Sequence, residues 1–193
     1  MSSENPNTQT RILDAAWTLL ETGGSKVRMS DIAKAAGVSR QAVYLHFASR
    51  AELLIATTRH IDAVKDVDAR LAASRAATSG LERLDHYIDA WCGYIPEIYG
   101  VGRALMAMQD SDEDARDAWV NRMNAMHHGC VAVAKMLADE DKLRPGLSVS
   151  HAADLLAMLL SVRGWEDLVT TRGWSQPDYI EEMKTLARRA LVQ

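Results

Sequence analysis

The chain has 193 residues, 48% of them hydrophobic, and a formal net charge of −4, so it can bury one sizeable core or two smaller ones. Its two cysteines, Cys92 and Cys130, are too few for a disulfide framework and favour reduced thiols in the cytoplasm. The polar first ten residues argue against a secretory signal, and no stretch approaches the ~18 apolar residues that a membrane span requires.

The spacing of apolar residues predicts an all-α fold of about nine helices. Apolar residues recur every three or four positions, and no segment alternates with the period of two that a strand requires. Glycine, proline and capping residues set the expected helix ends. The expected helices are, in order, about 8–22, 30–36, 40–47, 50–75, Gly80 to Pro96, 97–109, a long helix after the acidic residues 110–114, 148–171 and 177–191.

Residues 28–47 predict two short helices joined by a turn. Gly37 lies where such a turn needs a positive φ angle, and Val38 would fill the turn. Ser30 and Ser39 are placed to cap the two helices by accepting hydrogen bonds from free backbone N–H groups. This arrangement is typical of a helix-turn-helix, whose second helix enters the major groove of DNA.

The outer face of the second short helix carries side chains that suit DNA. Arg40 can pair with guanine O6 and N7, Gln41 with adenine N6 and N7, and Ala42 can contact a thymine methyl group. Three further polar side chains are expected at phosphate distance: Tyr44, His46 and Arg50.

The charge distribution supports the same interpretation. Residues 26–50 have a net charge of +4, whereas residues 61–193 have a net charge of −6. A basic segment on an acidic chain suits a protein that presents one face to phosphates. A surface helical hairpin with incidental charge is the alternative, but it leaves the shared register of glycine, cap and polar face unexplained.

The run TRILDAAWTLLETGG, followed by SDIAKAAGVSRQAVYLHFASRAELL, resembles the DNA-binding region of the TetR family of bacterial repressors. The shared pattern is a first helix ending in glycine, then IAxxAGVS, a recognition helix ending in YxHF, and a basic residue before LL. It covers about the first 55 residues. Gln41 departs from the pattern, because the family more often has glycine or proline there.

The resemblance implies two domains. Residues 5–65 would form a three-helix DNA-binding domain, and residues 66–193 a helical bundle that binds an effector and dimerises through the last two helices. It also implies that the following residues lie at or near DNA: Arg28, Ser30, Ser39, Arg40, Gln41, Tyr44, His46 and Arg50.

Soft and aromatic side chains in the C-terminal part suggest a pocket for an apolar or aromatic small molecule. Ordinary core packing explains at least half of them. Because the fifth and seventh helices line the cavity in the resembled family, the candidate effector-binding residues are Trp91, Trp119, Met123, Met126 and His127.

No catalytic or metal site is predicted. His127 and His128 point about 100° apart on a helix, and no further ligand completes a tetrahedral set with Cys130. The sequence shows no nucleophile–base pattern and no phosphate loop, so we expect neither an enzyme nor a cofactor.

The last two expected helices are apolar over more than one stripe, which predicts a homodimer because such faces need a partner. Their apolar residues are Leu155, Leu156, Leu159, Leu160, Val162, Tyr179, Met183, Leu186 and Ala190. The expected function is a repressor that a small apolar or aromatic effector releases from double-stranded operator DNA. One alternative is a DNA binder of the same fold without an effector, controlled by a protein partner or acting architecturally. A second is a helical enzyme or carrier that merely retains the motif.

Overall fold

The computed structural model describes residues 7–23 and 27–193, and these residues form helices joined by short connections. The all-α prediction is confirmed, since the β contact in the described ranges is an isolated bridge between Leu143 and Val192. The helices are α1 Thr8–Gly23, α2 Met29–Ala36, α3 Arg40–His46, α4 Arg50–Val64, α5 Val67–Ala76, α6 Gly80–Met108, α7 Glu113–Asp139, α8 Val149–Leu159, α9 Val162–Trp165, which continues into a π-helical turn at Glu166–Thr171, and α10 Gln176–Leu191. None of the helices in the described part of the chain combines the length and apolar character of a membrane span.

The single helix expected at 50–75 is two helices, α4 and α5. Asp66 adopts a left-handed conformation with φ 51°, which ends α4. The Asp66 side chain then accepts a hydrogen bond from the Ala69 N–H at 3.2 Å and caps α5. Aspartate is one of the few residues that tolerate this conformation, and it is also a favoured N-cap.

Helix α6 continues through Pro96, where the sequence predicts an end. Proline has no N–H to donate to the carbonyl four residues earlier, which is that of Cys92. In the structure the Gln176 side-chain amide donates to this carbonyl at 2.7 Å, and Gln176 in turn accepts from the Trp165 indole N–H at 2.7 Å. A side chain from α10 therefore replaces the missing backbone hydrogen bond.

The helix expected at 148–171 is also interrupted. Helix α8 ends at Leu159, and Ser161 caps α9 by accepting from the Gly164 N–H at 3.1 Å. The chain then widens into the π-helical turn before α10 begins.

The described residues divide into two compact units. The first contains the described residues up to Lys65 together with Ile98–Arg122, and the second contains Asp66–Glu97 together with Met123–Gln193. In the first unit α1 packs against α2 and α4, and α2 packs against α3. Its core includes Ile12, Leu20, Ile32, Val43, Phe47, Leu53 and Leu54. In the second unit α10 packs against α8 and the π-helical turn, over a core that includes Leu84, Ile88, Val133, Leu137, Leu156 and Tyr179.

Candidate nucleic-acid interface

The turn between α2 and α3 has the geometry that the sequence predicts. Gly37 has φ 65° and ψ 37°, and the Val38 N–H donates to the Ala33 carbonyl at 3.0 Å. The Arg11 side chain reaches from α1 and donates to the Ala36 carbonyl at 2.6 Å. A guanidinium at the C-terminal end of α2 satisfies a free carbonyl and complements the negative end of the helix dipole, so it stabilises the turn.

The two predicted helix caps have different outcomes. The cap of α3 is confirmed, because Ser39 Oγ accepts from the Ala42 N–H at 3.1 Å. The predicted cap of α2 is wrong, because that helix begins one residue earlier than expected. Arg28 occupies the N-cap, its N–H donates to Asp31 Oδ2 at 3.2 Å, and Ser30 lies exposed in the first turn.

Helix α3 has a buried face and an exposed face. Val43, and Phe47 just after the helix, are buried in the core of the first unit. Four of the predicted DNA-facing residues on α3 are exposed: Arg40, Gln41, Tyr44 and His46. The fifth, Ala42, is half-buried. The buried face fixes the position of the helix, and the exposed face is free to enter a groove.

Arg40 and Tyr44 form a pair on this exposed face. The Arg40 guanidinium lies 5.6 Å from the centroid of the Tyr44 ring, and its Nη2 lies 3.4 Å from the Tyr44 hydroxyl. These two residues share a shallow groove with Arg28 and Ser30. The groove is lined by three guanidinium groups and three hydroxyl groups, which are donors that phosphate and base edges accept from. It also contains the carboxylates of Asp112 and Asp114, which pair with the third guanidinium, that of Arg50.

Arg50 is engaged within the first unit. Its Nε donates to the Val27 carbonyl at 2.8 Å, and its Nη1 lies 2.8 Å from the Asp112 carboxylate and 3.5 Å from that of Asp114. The Arg50 side chain is 16% exposed. This arrangement ties the start of α4 to the segment before α2 and to the start of α7.

The sequence profile described as bacterial regulatory proteins of the tetR family matches residues 12–57, which contain this helix-turn-helix. The HTH-type transcriptional regulator TtgR of Pseudomonas putida is 26% identical over 162 residues, which are 83% of this chain and 68% of that relative. Residues 12–57 therefore carry the DNA-binding region of the TetR family, whose members are DNA-binding transcriptional regulators rather than enzymes.

Solved structures agree over nearly the whole chain. NalD of Pseudomonas aeruginosa, the secondary repressor of the MexAB-OprM multidrug efflux pump, is 26% identical, with a TM-score of 0.68 over 96% of this chain and 97% of that one. FadR of Bacillus subtilis, solved in complex with stearoyl-CoA, is 16% identical and shares the fold with a TM-score of 0.74 over 94% of this chain and 98% of that one.

The five candidate effector residues lie on two helices, Trp91 on α6 and the other four on α7. Trp119 belongs to the first compact unit, and the other four belong to the second. Trp91 is buried and its indole N–H donates to the Leu160 carbonyl at 2.8 Å. Met126 is also buried, and its carbonyl accepts from the Tyr87 hydroxyl at 2.5 Å.

The remaining two candidates are less buried. Met123 is half-buried on α7. His127 lies at the surface of the second unit, where its Nε2 is 2.9 Å from Asp154 Oδ1. Its neighbour His128 is exposed, whereas Cys130 is buried.

The two thiols are buried in the second unit. Cys130 Sγ lies 3.5 Å from Met126 Sδ, and Cys92 lies on α6. Burial, which disfavours the charged thiolate, raises the pKa of both thiols to about 12. Both cysteines therefore behave as core residues.

Sequence reasoning missed two residues of the interface. Leu45 is 81% exposed on α3, and Arg11 supports the turn from α1. Leu45 could have been found from helical spacing, because a residue two positions after the buried Val43 is rotated by about 200° to the opposite face. Arg11 carried no such signal, since its partner at Ala36 lies 25 residues away.

Proposed function

We propose that this chain is a cytoplasmic homodimeric repressor of the TetR family that binds double-stranded operator DNA with α3. The observation that carries the proposal is the two-sided structure of α3, which is anchored by buried apolar residues and presents polar side chains outward. A recognition helix needs both features, because base contacts require a helix held in a fixed orientation. Repression is supported by NalD, whose name identifies it as a repressor.

The exposed residues divide by the chemistry that each can supply. We assign Arg40 and Gln41 to base edges, because both can make bidentate hydrogen bonds in the major groove. Half-buried Ala42 is assigned to a thymine methyl group at close approach. The phosphate contacts are assigned to the remaining exposed donors: Arg28, Ser30, Tyr44 and His46.

Ser39 and Arg50 are assigned positioning roles. Ser39 caps α3 with its side-chain oxygen, so that its backbone lies at the DNA while its hydroxyl supports the helix. Arg50 is held by Val27 and Asp112, and it fixes the orientation of α2 and α4 rather than contacting a phosphate.

A homodimer through α8 and α10 suits the two-fold symmetry of an operator. Tyr179 and Met183 are buried within the single chain, so they belong to its own core and not to an interface. The accessible apolar surface on these elements includes Met158, which is 61% exposed, half-buried Leu155 and Leu159 on α8, and half-buried Ile180, Leu186 and Ala190 on α10. We therefore propose an interface that includes this face of α8 and the accessible apolar residues of α10.

We propose a small apolar or aromatic molecule as the effector that releases the repressor. The stearoyl-CoA complex of FadR supports an apolar ligand in a protein of this fold. Regulation without a small molecule is the second candidate, and one observation favours it. The indole of Trp91 and the hydroxyl of Tyr87 are already committed to buried hydrogen bonds that a ligand would have to break or avoid.

Selection of bound sequences from random double-stranded DNA tests the proposal. We expect a two-fold symmetric site with half-sites about one helical turn, ~34 Å, apart. Arg40→Ala should weaken specific binding by about 1–3 kcal/mol and relax the preference at one base pair. Arg116→Ala is the matched control, because it removes the same charge from an exposed position of the first unit outside the motif.

The selected site then allows a screen of small molecules for release. Release by an apolar or aromatic compound supports the effector, and by linkage the operator must weaken binding of that compound by the same factor. Binding that no compound reverses favours regulation by a protein partner. A selection that enriches no sequence would contradict the operator-binding function itself.

A further inference from the structure

Leu45 is the most exposed large hydrophobic residue in the described part of the chain. Isolated exposed leucines are common on proteins, so exposure alone indicates nothing. The position is what distinguishes this one, because it lies on α3 between Tyr44 and His46, in the middle of the proposed DNA-facing surface. With 81% of its surface exposed, its side chain contributes almost nothing to the core.

The helical register pairs Leu45 with Gln41. Residues four positions apart lie on the same side of a helix, about 6 Å apart along its axis. Arg40 and Tyr44 form the neighbouring pair with the same spacing, and their cation–π contact of 5.6 Å holds them together. The outer face of α3 thus carries two adjacent rows, Arg40 with Tyr44 and Gln41 with Leu45.

We propose that Leu45 is a base-reading residue that contacts the C5 methyl group of a thymine in the operator. The inference rests on the proposed operator-binding function and adds a specificity determinant to it. Thymine presents a methyl group in the major groove, and an apolar side chain recognises it by excluding water. An isobutyl group supplies a surface for that contact and has no hydrogen-bonding alternative.

Gln41, which shares a row with Leu45, limits where this thymine can lie in the half-site. Glutamine pairs best with adenine N6 and N7. Base pairs are stacked about 3.4 Å apart, so a separation of ~6 Å spans about two of them. Each half-site should therefore contain an adenine read by Gln41 and, within about two base pairs of it, a thymine read by Leu45.

Deoxyuridine substitution tests this directly, because it removes only the methyl group. Each thymine of the selected operator is replaced in turn by deoxyuridine, and the Kd is measured for the unmodified protein, Leu45→Ala and Val120→Ala. Val120 is an exposed apolar residue of the first unit outside the motif, which makes it the matched control. Alanine favours helix, so Leu45→Ala should retain the helicity of the unmodified protein by circular dichroism.

We expect one thymine per half-site whose replacement weakens binding of the unmodified protein about fourfold, the value of one buried methyl group. The same replacement should leave the Kd of Leu45→Ala unchanged, while Val120→Ala should behave like the unmodified protein. Leu45→Ala should itself bind the thymine operator at least fourfold more weakly.

Several results would overturn the assignment. If Leu45→Ala shows the same deoxyuridine profile as the unmodified protein, Leu45 reads no methyl group. If Ala42→Gly, and not Leu45→Ala, removes the discrimination, the methyl contact belongs to Ala42. If Leu45→Ala changes the sedimentation of the free protein and leaves DNA affinity unchanged, Leu45 serves a protein contact. If the unmodified protein binds no operator at all, the proposed function is refuted. This result differs from those that refute only the role of Leu45, so the two proposals can fail separately.

Discussion

Arg50→Ala is the substitution that best tests how the DNA-binding motif is held. It removes a charged hydrogen bond to the Val27 carbonyl at 2.8 Å and an ion pair with Asp112 at 2.8 Å. A hydrogen bond to a charged group contributes about 1.5–3 kcal/mol, and a partly exposed ion pair adds at most about 1 kcal/mol. Because the guanidinium is only partly buried, we expect a loss of about 2 kcal/mol in the free energy of unfolding.

Thermal unfolding followed by circular dichroism measures this loss. For a chain of this size, 2 kcal/mol corresponds to a fall in Tm of about 4–8 °C. A double-mutant cycle with Asp112→Asn should give a coupling energy of about 1 kcal/mol, since the two side chains are in direct contact. Arg116→Ala, whose exposed side chain pairs with Glu113 at 3.5 Å, should cost less than about 0.5 kcal/mol.

The salt dependence of operator binding separates a positioning role from a phosphate contact. Loss of one phosphate contact lowers the slope of log K against log salt by about 0.9 per chain. We expect Arg50→Ala to leave this slope unchanged and to weaken binding, because Asp112 and Asp114 then repel phosphate beside the groove of Arg28 and Arg40. Asp112→Asn in the Arg50→Ala background should recover part of the affinity.

A fall in slope of about 0.9 per chain, with no recovery on adding Asp112→Asn, would refute this reasoning. It would mean that Arg50 leaves its carboxylate partners when DNA binds and contacts a phosphate, as the sequence alone suggests.

Three further predictions concern the turn, the thiols and the dimer. Gly37→Val should destabilise the chain by about 1–2 kcal/mol in chemical denaturation, because φ is 65° there, and Gly37→Asn should cost less. Cys92 and Cys130, whose pKa values are raised by burial to about 12, should react with a thiol reagent at pH 8 only as fast as the protein unfolds. Above pH 9 the unfolded state loses the two thiol protons that the folded state keeps. The free energy of unfolding should therefore fall as the pH rises from about 9 to 12. Met158→Glu should yield a folded monomer in sedimentation, and Met158→Leu should yield a dimer. Met183→Glu should instead unfold the chain, because Met183 is 3% exposed within it. A dimer that survives Met158→Glu would show that this face of α8 is not part of the interface.

Much of the candidate site was predictable because its determinants are local. The positive φ angle of Gly37, the cap provided by Ser39 and the buried position of Val43 follow from helix geometry over fewer than ten residues. The cap assigned to Ser30 failed by a shift of two residues, to Arg28, which is within the usual uncertainty of a helix end. Leu45 was equally local, and the pattern that located Val43 also places it on the exposed face.

The continuity of α6 was not predictable, because it depends on a distant side chain. Proline indicates a helix end when only its neighbours are considered. The Gln176 amide that replaces the lost hydrogen bond lies 84 residues from Cys92 along the chain. No pattern in the sequence connects these two positions.

The sequence by itself therefore determined the helical class, the helix-turn-helix and the polar outer face of α3, since each depends on spacing within one or two helices. Only the tertiary structure decided which polar and apolar groups were already satisfied. Arg50 finds Asp112 across 62 residues, and Met183 fills the core of its own chain rather than a dimer interface. A charge or an apolar face in a sequence shows that a partner is needed, but the identity of that partner depends on which distant segments the fold brings within ~4 Å.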